Sequence, residues 1–177
     1  MKTKLLAIPL IIFFLILSVF FYLLILERDP SDLPSALINK KIPTFKADRL
    51  FNENIFNSEK EFNNDIIIVN FFATWCGPCR EEHKYINKLS NNNGVKILGI
   101  NYKDNPNKTK KWLEELGNPY YAVILDKKGL IGIEWGVYGI PETFFVNHEG
   151  IIKYRIAGPL TKKKYNVIVS KIKNFKN

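Results

Sequence analysis

The chain has 177 residues, 46% of them apolar, with 26 Lys or Arg against 17 Asp or Glu, a formal net charge of +9 and only two cysteines. Two cysteines exclude a disulfide-stapled scaffold, while the length beyond an apolar N-terminus, about 145 residues, suffices for one domain with its own core. The excess charge is local. Gly150 to Asn177 holds eight basic residues (Lys153, Arg155, Lys162, Lys163, Lys164, Lys171, Lys173 and Lys176) and no acid. That tail reads as a solvated helix face, with attraction to anionic lipid as the alternative. Nucleic acid is not expected, because no base-stacking platform accompanies the lysines.

In chain order, Lys2 and Lys4 precede an uncharged run of 22 residues, Leu5 to Leu26. A spanning helix needs about 20 residues. The run ends without a small-x-small cleavage site, so residues 5–26 are expected to be an uncleaved membrane anchor. Glu27, Asp29 and Asp32 outnumber Arg28 just after it. The positive-inside rule then places residues 1–4 in the cytoplasm and the remainder outside. Residues 27–41 are read as a tether and 42–177 as the globular domain.

Within that domain, Phe45 to Phe56 reads as a weak hairpin around Asn52-Glu53-Asn54. Ser58 is expected to cap a short helix through Phe62. Ile66 to Phe72 is a nearly continuous apolar run, the pattern of a strand buried on both faces. A helix is expected over 80–90 and a second buried strand over 95–102. Asn105 or Asn107 caps a helix to Leu116 that Gly117 closes, and a third strand covers 120–125. Strands at 142–147 and 151–156 form an antiparallel hairpin. Thr161 caps a last helix whose Tyr165, Ile168, Val169, Ile172 and Phe175 recur at helical spacing. Strands alternating with helices and then a hairpin imply an α/β fold, a mixed central sheet with helices on both faces.

The chemistry is concentrated at Trp75-Cys76-Gly77-Pro78-Cys79, where strand gives way to helix. A first cysteine at a helix start meets unpaired backbone N–H groups and the positive end of the helix dipole, which favour the thiolate. Thiolate is the attacking form in disulfide exchange. Cys76 is therefore the expected nucleophile and Cys79, one turn inside, the resolving thiol. Half of a structural zinc site is the duller alternative, but zinc takes four ligands and only His83 and His148 could add to the pair. Pro141, at a strand entrance, either ends a loop or forms a cis bond that turns the Ile140 backbone towards the thiols.

The pentapeptide Trp75–Cys79 resembles the thioredoxin active site, and Pro141 stands where that superfamily has its cis-proline. Further blocks are closer to one branch: Asn101-Tyr102-Lys103-Asp104; Trp112-Leu113-x-Glu115-Leu116-Gly117-Asn118-Pro119-Tyr120; Gly136-Val137-Tyr138-Gly139-x-Pro141-Glu142-Thr143-Phe144; and Tyr154-Arg155-x-Ala157-Gly158. In that order they strongly resemble the membrane-anchored thiol–disulfide proteins of cytochrome c maturation, the CcmG/DsbE family. The resemblance implies a thioredoxin-like fold with an inserted central segment. It implies a catalytic pair Cys76 and Cys79 with Pro141, and a substrate groove of Trp75, Gly136, Val137, Tyr138, Gly139 and Ile140. Ordinary thioredoxins carry a buried Asp where this chain has Asn70, and Asn cannot take a proton. The branch's acids map onto Glu82 and Glu142, with Glu142 the stronger candidate for proton handling. Trp112 falls in the inserted helix, as core or lid.

The resemblance also implies a thiol–disulfide oxidoreductase in the bacterial inner membrane, with its catalytic domain periplasmic. It would reduce the haem-attachment cysteines of apocytochrome c or a maturation partner, with electrons from a transmembrane thiol reductase and no bound cofactor. A general periplasmic disulfide reductase and a non-catalytic docking protein are the alternatives.

Overall fold

A single helix, α1 (Lys2–Ile25), makes up the N-terminal unit, which spans Met1–Asp32; the rest of the chain, Leu33–Asn177, forms the second. The computed structural model describes residues 2–25, 36–62, 65–93 and 95–176. The Ile8–Ile25 stretch of α1 has a mean hydropathy of 3.0 and no side chain buried by protein. A helix apolar all round and uncovered by protein is suited to a hydrocarbon surround, and this one is long and apolar enough to cross it.

The second unit is built on a five-stranded sheet of order β5-β4-β3-β6-β7, with β3 (Ile67–Phe72) at its centre. All six residues of β3 are buried, as the continuous apolar run requires. It lies parallel to β4 (Lys96–Tyr102) and antiparallel to β6 (Glu142–Val146), and β4 is parallel to β5 (Ala122–Asp126). β7 (Ile152–Ala157) closes the other edge antiparallel to β6. Alternation along β3 divides its side chains between two cores. Ile68 and Phe72 pack with α3 (Gly77–Asn93), α4 (Pro106–Leu116) and α6 (Lys162–Lys176) through Ile86, Leu89, Trp112, Leu113, Ile168 and Ile172. Ile67, Val69 and Phe71 face the opposite core with Phe45, Phe56, Phe62, Ile131 and Trp135. That side is covered by a small hairpin, β1 (Lys46–Ala47) with β2 (Phe56–Asn57), then α2 (Ser58–Glu61) and α5 (Leu130–Glu134). Burying each such side chain is worth roughly 1.5–3 kcal/mol, so both faces of β3 hold the strand that leads into the cysteines.

Four local features differ from the sequence reading. α3 starts at Gly77, so the helix begins between the two cysteines. Asn57, not Ser58, caps α2 by accepting from the Glu59 N–H. The Ser58 hydroxyl is instead buried and accepts the Phe45 N–H at 2.8 Å, tying the hairpin to the helix. α5 was not anticipated: its five residues are too few to show a helical period, and Asp126 holds its start by accepting from the Ile131 and Gly132 N–H groups. Finally, residues 37–41, expected as tether, run with Ile42 against the hairpin strand. Asn39 N–H donates to Ile152 O, Ile152 N–H to Lys40 O and Ile42 N–H to Gly150 O. Leu37 and Ile38 pack on the second core. Residue 26, the end of the expected anchor, and residues 27–35 of the expected tether lie outside the described residues.

Candidate active site

Cys76 and Cys79 form a disulfide at the point where β3 passes into α3. Cys76 Sγ receives the Cys79 N–H at 3.2 Å, so a helix-start amide points at the sulfur as expected. The same sulfur lies 3.6 Å from the carbonyl oxygen of Ile140, in the loop before the cis Ile140–Pro141 bond. Both cysteines are buried, Cys79 the more deeply. The surface around them is apolar and open: Trp75 is 59% exposed and Tyr138 73%. Gly136, Val137 and Ile140 are partly covered, and Gly139 is exposed. Of the expected groove residues, Trp75 directly precedes Cys76 in the β3–α3 turn, and Ile140 of the α5–β6 loop is brought to it through its carbonyl oxygen. Trp112 belongs to the core rather than to a lid: it is buried and stacks on Phe72 at 5.6 Å.

Glu82 follows Cys79 by one turn on the face of α3 that also buries Ile86 and Leu89. Its carboxylate is 2% exposed and accepts from two donors, Asn70 Nδ2 at 2.9 Å and Leu160 N–H at 2.7 Å. Burial pushes it up from 4.5 to about 7, against the lowering effect of those two donors and of the Lys164 ammonium. Asn70, in the centre of β3, also donates from Nδ2 to Thr143 Oγ1 at 3.1 Å, and its Oδ1 accepts the Tyr120 hydroxyl at 2.8 Å. Tyr120 reaches it because β4 carries Gly99 beneath the ring, where a Cβ would stand 2.9 Å from the Tyr120 ring. Burial, and next the Glu82 charge, drive the Tyr120 phenol well above its ordinary value, so it stays a hydroxyl.

Glu142 is also buried, but its surroundings differ. Arg155 Nε and Nη2 grip its two carboxylate oxygens at 2.7 Å each. One of those oxygens also accepts the N–H of Tyr138 at 2.9 Å and of Gly139 at 3.4 Å. The Arg155 guanidinium lies 4.8 Å from the centre of the Tyr138 ring. Glu142 thus pins the Gly136–Ile140 loop to β6 and β7. The sequence reading gives Glu142 the larger proton role; in the structure its carboxylate is held by Arg155 and by the loop amides.

Two contributors were not identified from sequence. Arg155 is one. It was visible as a charged residue inside the apolar run Ile151–Ile156, with Glu142 its diagonal neighbour across the hairpin. Asp104 is the other. Its carboxylate accepts from Thr74 N–H (2.6 Å), Thr74 Oγ1 (2.9 Å), Asn101 Nδ2 (3.1 Å) and Asn105 N–H (2.7 Å). Burial opposes its charge, but those donors prevail and hold it below the usual carboxylate value. Trp75 Nε1 donates to Lys103 O at 3.2 Å, so the two residues preceding Cys76 are latched to the β4–α4 loop. His83 has its Nε2 2.8 Å from Gly117 O and its ring against Trp112. Burial lowers its pKa, so it is neutral at pH 7. His148 is exposed on the hairpin turn, and no cluster of three metal-ligating side chains occurs among the described residues.

The arrangement offers one sulfur against the Ile140 carbonyl, a second more deeply buried, and, one helical turn after it, a carboxyl able to exchange a proton near neutral pH. Known proteins match it. The Redoxin family model covers residues 37–172. The thiol:disulfide interchange protein DsbE of Escherichia coli is 43% identical over 167 residues, covering 92% of this chain and 90% of that protein. DsbE of Vibrio cholerae is 39% identical over 168 residues, covering 93% and 91%. Among solved structures, a secreted thiol-disulfide isomerase from Corynebacterium glutamicum superposes with a TM-score of 0.69 at 19% identity, covering 85% of this chain and 97% of that one. The thioredoxin domain of a thiol-disulfide oxidoreductase from Bacteroides vulgatus gives 0.65 at 21% identity, covering 80% and 99%. The fold is thus thioredoxin-like. With the family model spanning most of the domain and DsbE proteins matching almost end to end, the chain belongs to the Redoxin family and, within it, to the DsbE-type thiol:disulfide oxidoreductases.

Proposed function

We propose that this protein is a membrane-tethered reductant on the outer side of a bacterial inner membrane. Its substrate would be the disulfide between the haem-attachment cysteines of apocytochrome c, or of a maturation partner that holds them. The single observation that carries this reading is 43% identity to the Escherichia coli DsbE over 92% of the chain. The apolar helix α1 supports the membrane location, and the lysines before it support an N-terminus in the cytoplasm.

In the proposed cycle, the Cys76 thiolate attacks one sulfur of the substrate disulfide. A mixed disulfide forms, and the other substrate sulfur leaves as thiolate. Cys79 then attacks Cys76 Sγ, the substrate's second sulfur departs, and the Cys76–Cys79 disulfide remains. Two electrons have passed to the substrate, and a transmembrane thiol reductase resupplies them. Cys79 must lose its proton before attacking. Glu82, one turn further along the buried face, is the group suited to receive it, because its carboxyl exchanges near neutral pH. Glu142 acts through its hold on the Tyr138–Ile140 backbone. Trp75, Tyr138 and the Ile140–Pro141 edge receive the extended substrate segment.

The test is reduction of a synthetic peptide carrying an oxidised Cys-x-x-Cys-His segment by the reduced full-length chain. Faster reduction of this peptide than of one with the same disulfide but no haem-attachment sequence supports the specific role. Equal rates would leave only a general reductase.

A further inference from the structure

The hydrogen bonds around Glu82 describe one protonation state only. Oε1 accepts from Asn70 Nδ2 and Oε2 from the Leu160 N–H. Both neighbours are donors, so a proton placed on either oxygen meets no acceptor. Asn70 is fixed in that sense at its other end: its Oδ1 receives the Tyr120 hydroxyl, and its second Nδ2 hydrogen goes to Thr143 Oγ1. The Tyr120 and Thr143 partners are hydroxyls, which both donate and accept.

We infer that Asn70 is a two-position switch: its carboxamide turns over by half a revolution when Glu82 takes up a proton and turns back when the proton leaves. In the turned position Oδ1 occupies the place of Nδ2. It then accepts from the Glu82 O–H and from the Thr143 hydroxyl, while Nδ2 donates to the Tyr120 oxygen. No covalent bond changes except the O–H on Glu82, and the protonated carboxyl gains the acceptor it lacks in the other position. A carbonyl–amide pair is nearly symmetric in shape, so the turn needs no repacking around a residue that is fully buried. Aspartate at this position would be a second buried acid. Asparagine cannot hold the proton, but it can follow one. Asn70 is then a positioning residue that makes both forms of Glu82 tenable.

The groups facing Glu82 from the surrounding elements are few. Asn70 comes from β3, Tyr120 from the entrance to β5, Thr143 from β6, the Leu160 amide from the segment after β7, Lys164 from α6, and Cys79 and His83 from α3 itself. Tyr120 is held as a hydroxyl and His83 as a neutral ring, each mainly by burial. While the disulfide is closed the cysteines do not titrate, and the Glu82 carboxyl is the group in this cluster shifted to about 7.

The inference rests on the proton-handling role given to Glu82 above. The test is nuclear magnetic resonance of the oxidised full-length chain in detergent micelles, labelled with ¹³C at Glu Cδ and ¹⁵N at the Asn side-chain amide. Between pH 5 and 9 the Glu82 carbon should titrate. The Asn70 Nδ2 protons should show contacts to Thr143 at high pH and to the Tyr120 ring at low pH, exchanging at the same midpoint. In Glu82→Gln the Asn70 contacts should lose their pH dependence. If Glu82 titrates while the Asn70 contacts stay constant, the switch is refuted and the proton role survives. If Asn70 contacts change with the same midpoint in Glu82→Gln, another group drives them and the switch is also refuted. If Glu82 does not titrate in this range, both fail together.

Discussion

Replacing Glu82 by Gln should change how stability depends on pH, in a direction and by an amount the structure fixes. The folded carboxyl titrates at about 7 against 4.5 for the exposed group. Between those values the folded chain keeps a proton that the unfolded chain has released. Stability therefore falls as pH rises through that window. Below pH 4.5 both states are protonated and the penalty vanishes; above 7 it is complete. Moving a carboxyl from 4.5 to about 7 corresponds to roughly 3 kcal/mol, and burial at 2% exposure leaves little solvent to screen it. The glutamine of the Glu82→Gln variant carries no such titration. Its other effects offset the variant from the wild type by an amount that does not depend on this titration. The oxidised wild type and Glu82→Gln, unfolded by urea in non-ionic micelles from pH 4 to 8.5, should thus differ by an amount that shifts by about 3 kcal/mol in favour of the variant as pH rises. A difference constant to within about 0.5 kcal/mol across the series would refute the assignment of a raised carboxyl to Glu82.

Other perturbations follow from the same contacts. In the reduced protein, iodoacetamide should modify Cys76 before Cys79, because Cys76 lies at the mouth and Cys79 is sealed beneath it; peptide mapping of early time points checks the order. Arg155→Met strands the buried Glu142 carboxylate. It should destabilise the domain by roughly 3–5 kcal/mol, or about 10 °C in Tm, with partial recovery in the double variant carrying Glu142→Gln. Thermal melts of the single and double variants decide it. Asp104→Ala frees Thr74 and Asn105 from their shared acceptor and loosens the turn that presents Cys76. Reduction of a model disulfide, followed by stopped flow, should slow by about tenfold, within the roughly hundredfold that a 1 Å misplacement can cause.

How far the sequence could be read depended on how local each feature is. Cys76 and Cys79 were legible because strand, turn and helix start lie within ten residues, and the chemistry of a sulfur at a helix N-terminus needs nothing more. β3 was legible from an apolar run too long and too uniform for a half-exposed strand. The last helix was legible from its period. What escaped depends on distant partners. Ser58 was read as a cap, but its hydroxyl serves Phe45, 13 positions away. Asp104 meets Thr74 across 30 positions, and Tyr120 meets Asn70 across 50. Glu82 and Glu142 were both legible as acids near the motif, with Glu142 given the larger role. Only the fold distinguishes them, by giving one an arginine and the other an asparagine. The segment at 37–41 reads as tether because its composition is plain, yet its backbone hydrogen bonds to the β7 edge are independent of side chains.

The most direct measurement of the central claim is disulfide trapping in cells. Cys79→Ser in the full-length chain removes the resolving thiol and leaves Cys76 to hold whatever it attacks. The account predicts a mixed disulfide between Cys76 and a cysteine of a haem-attachment Cys-x-x-Cys-His segment, or of the maturation protein that carries it, absent when Cys76 is also replaced. Capture of no such partner, or adducts that persist in the double variant, would contradict it.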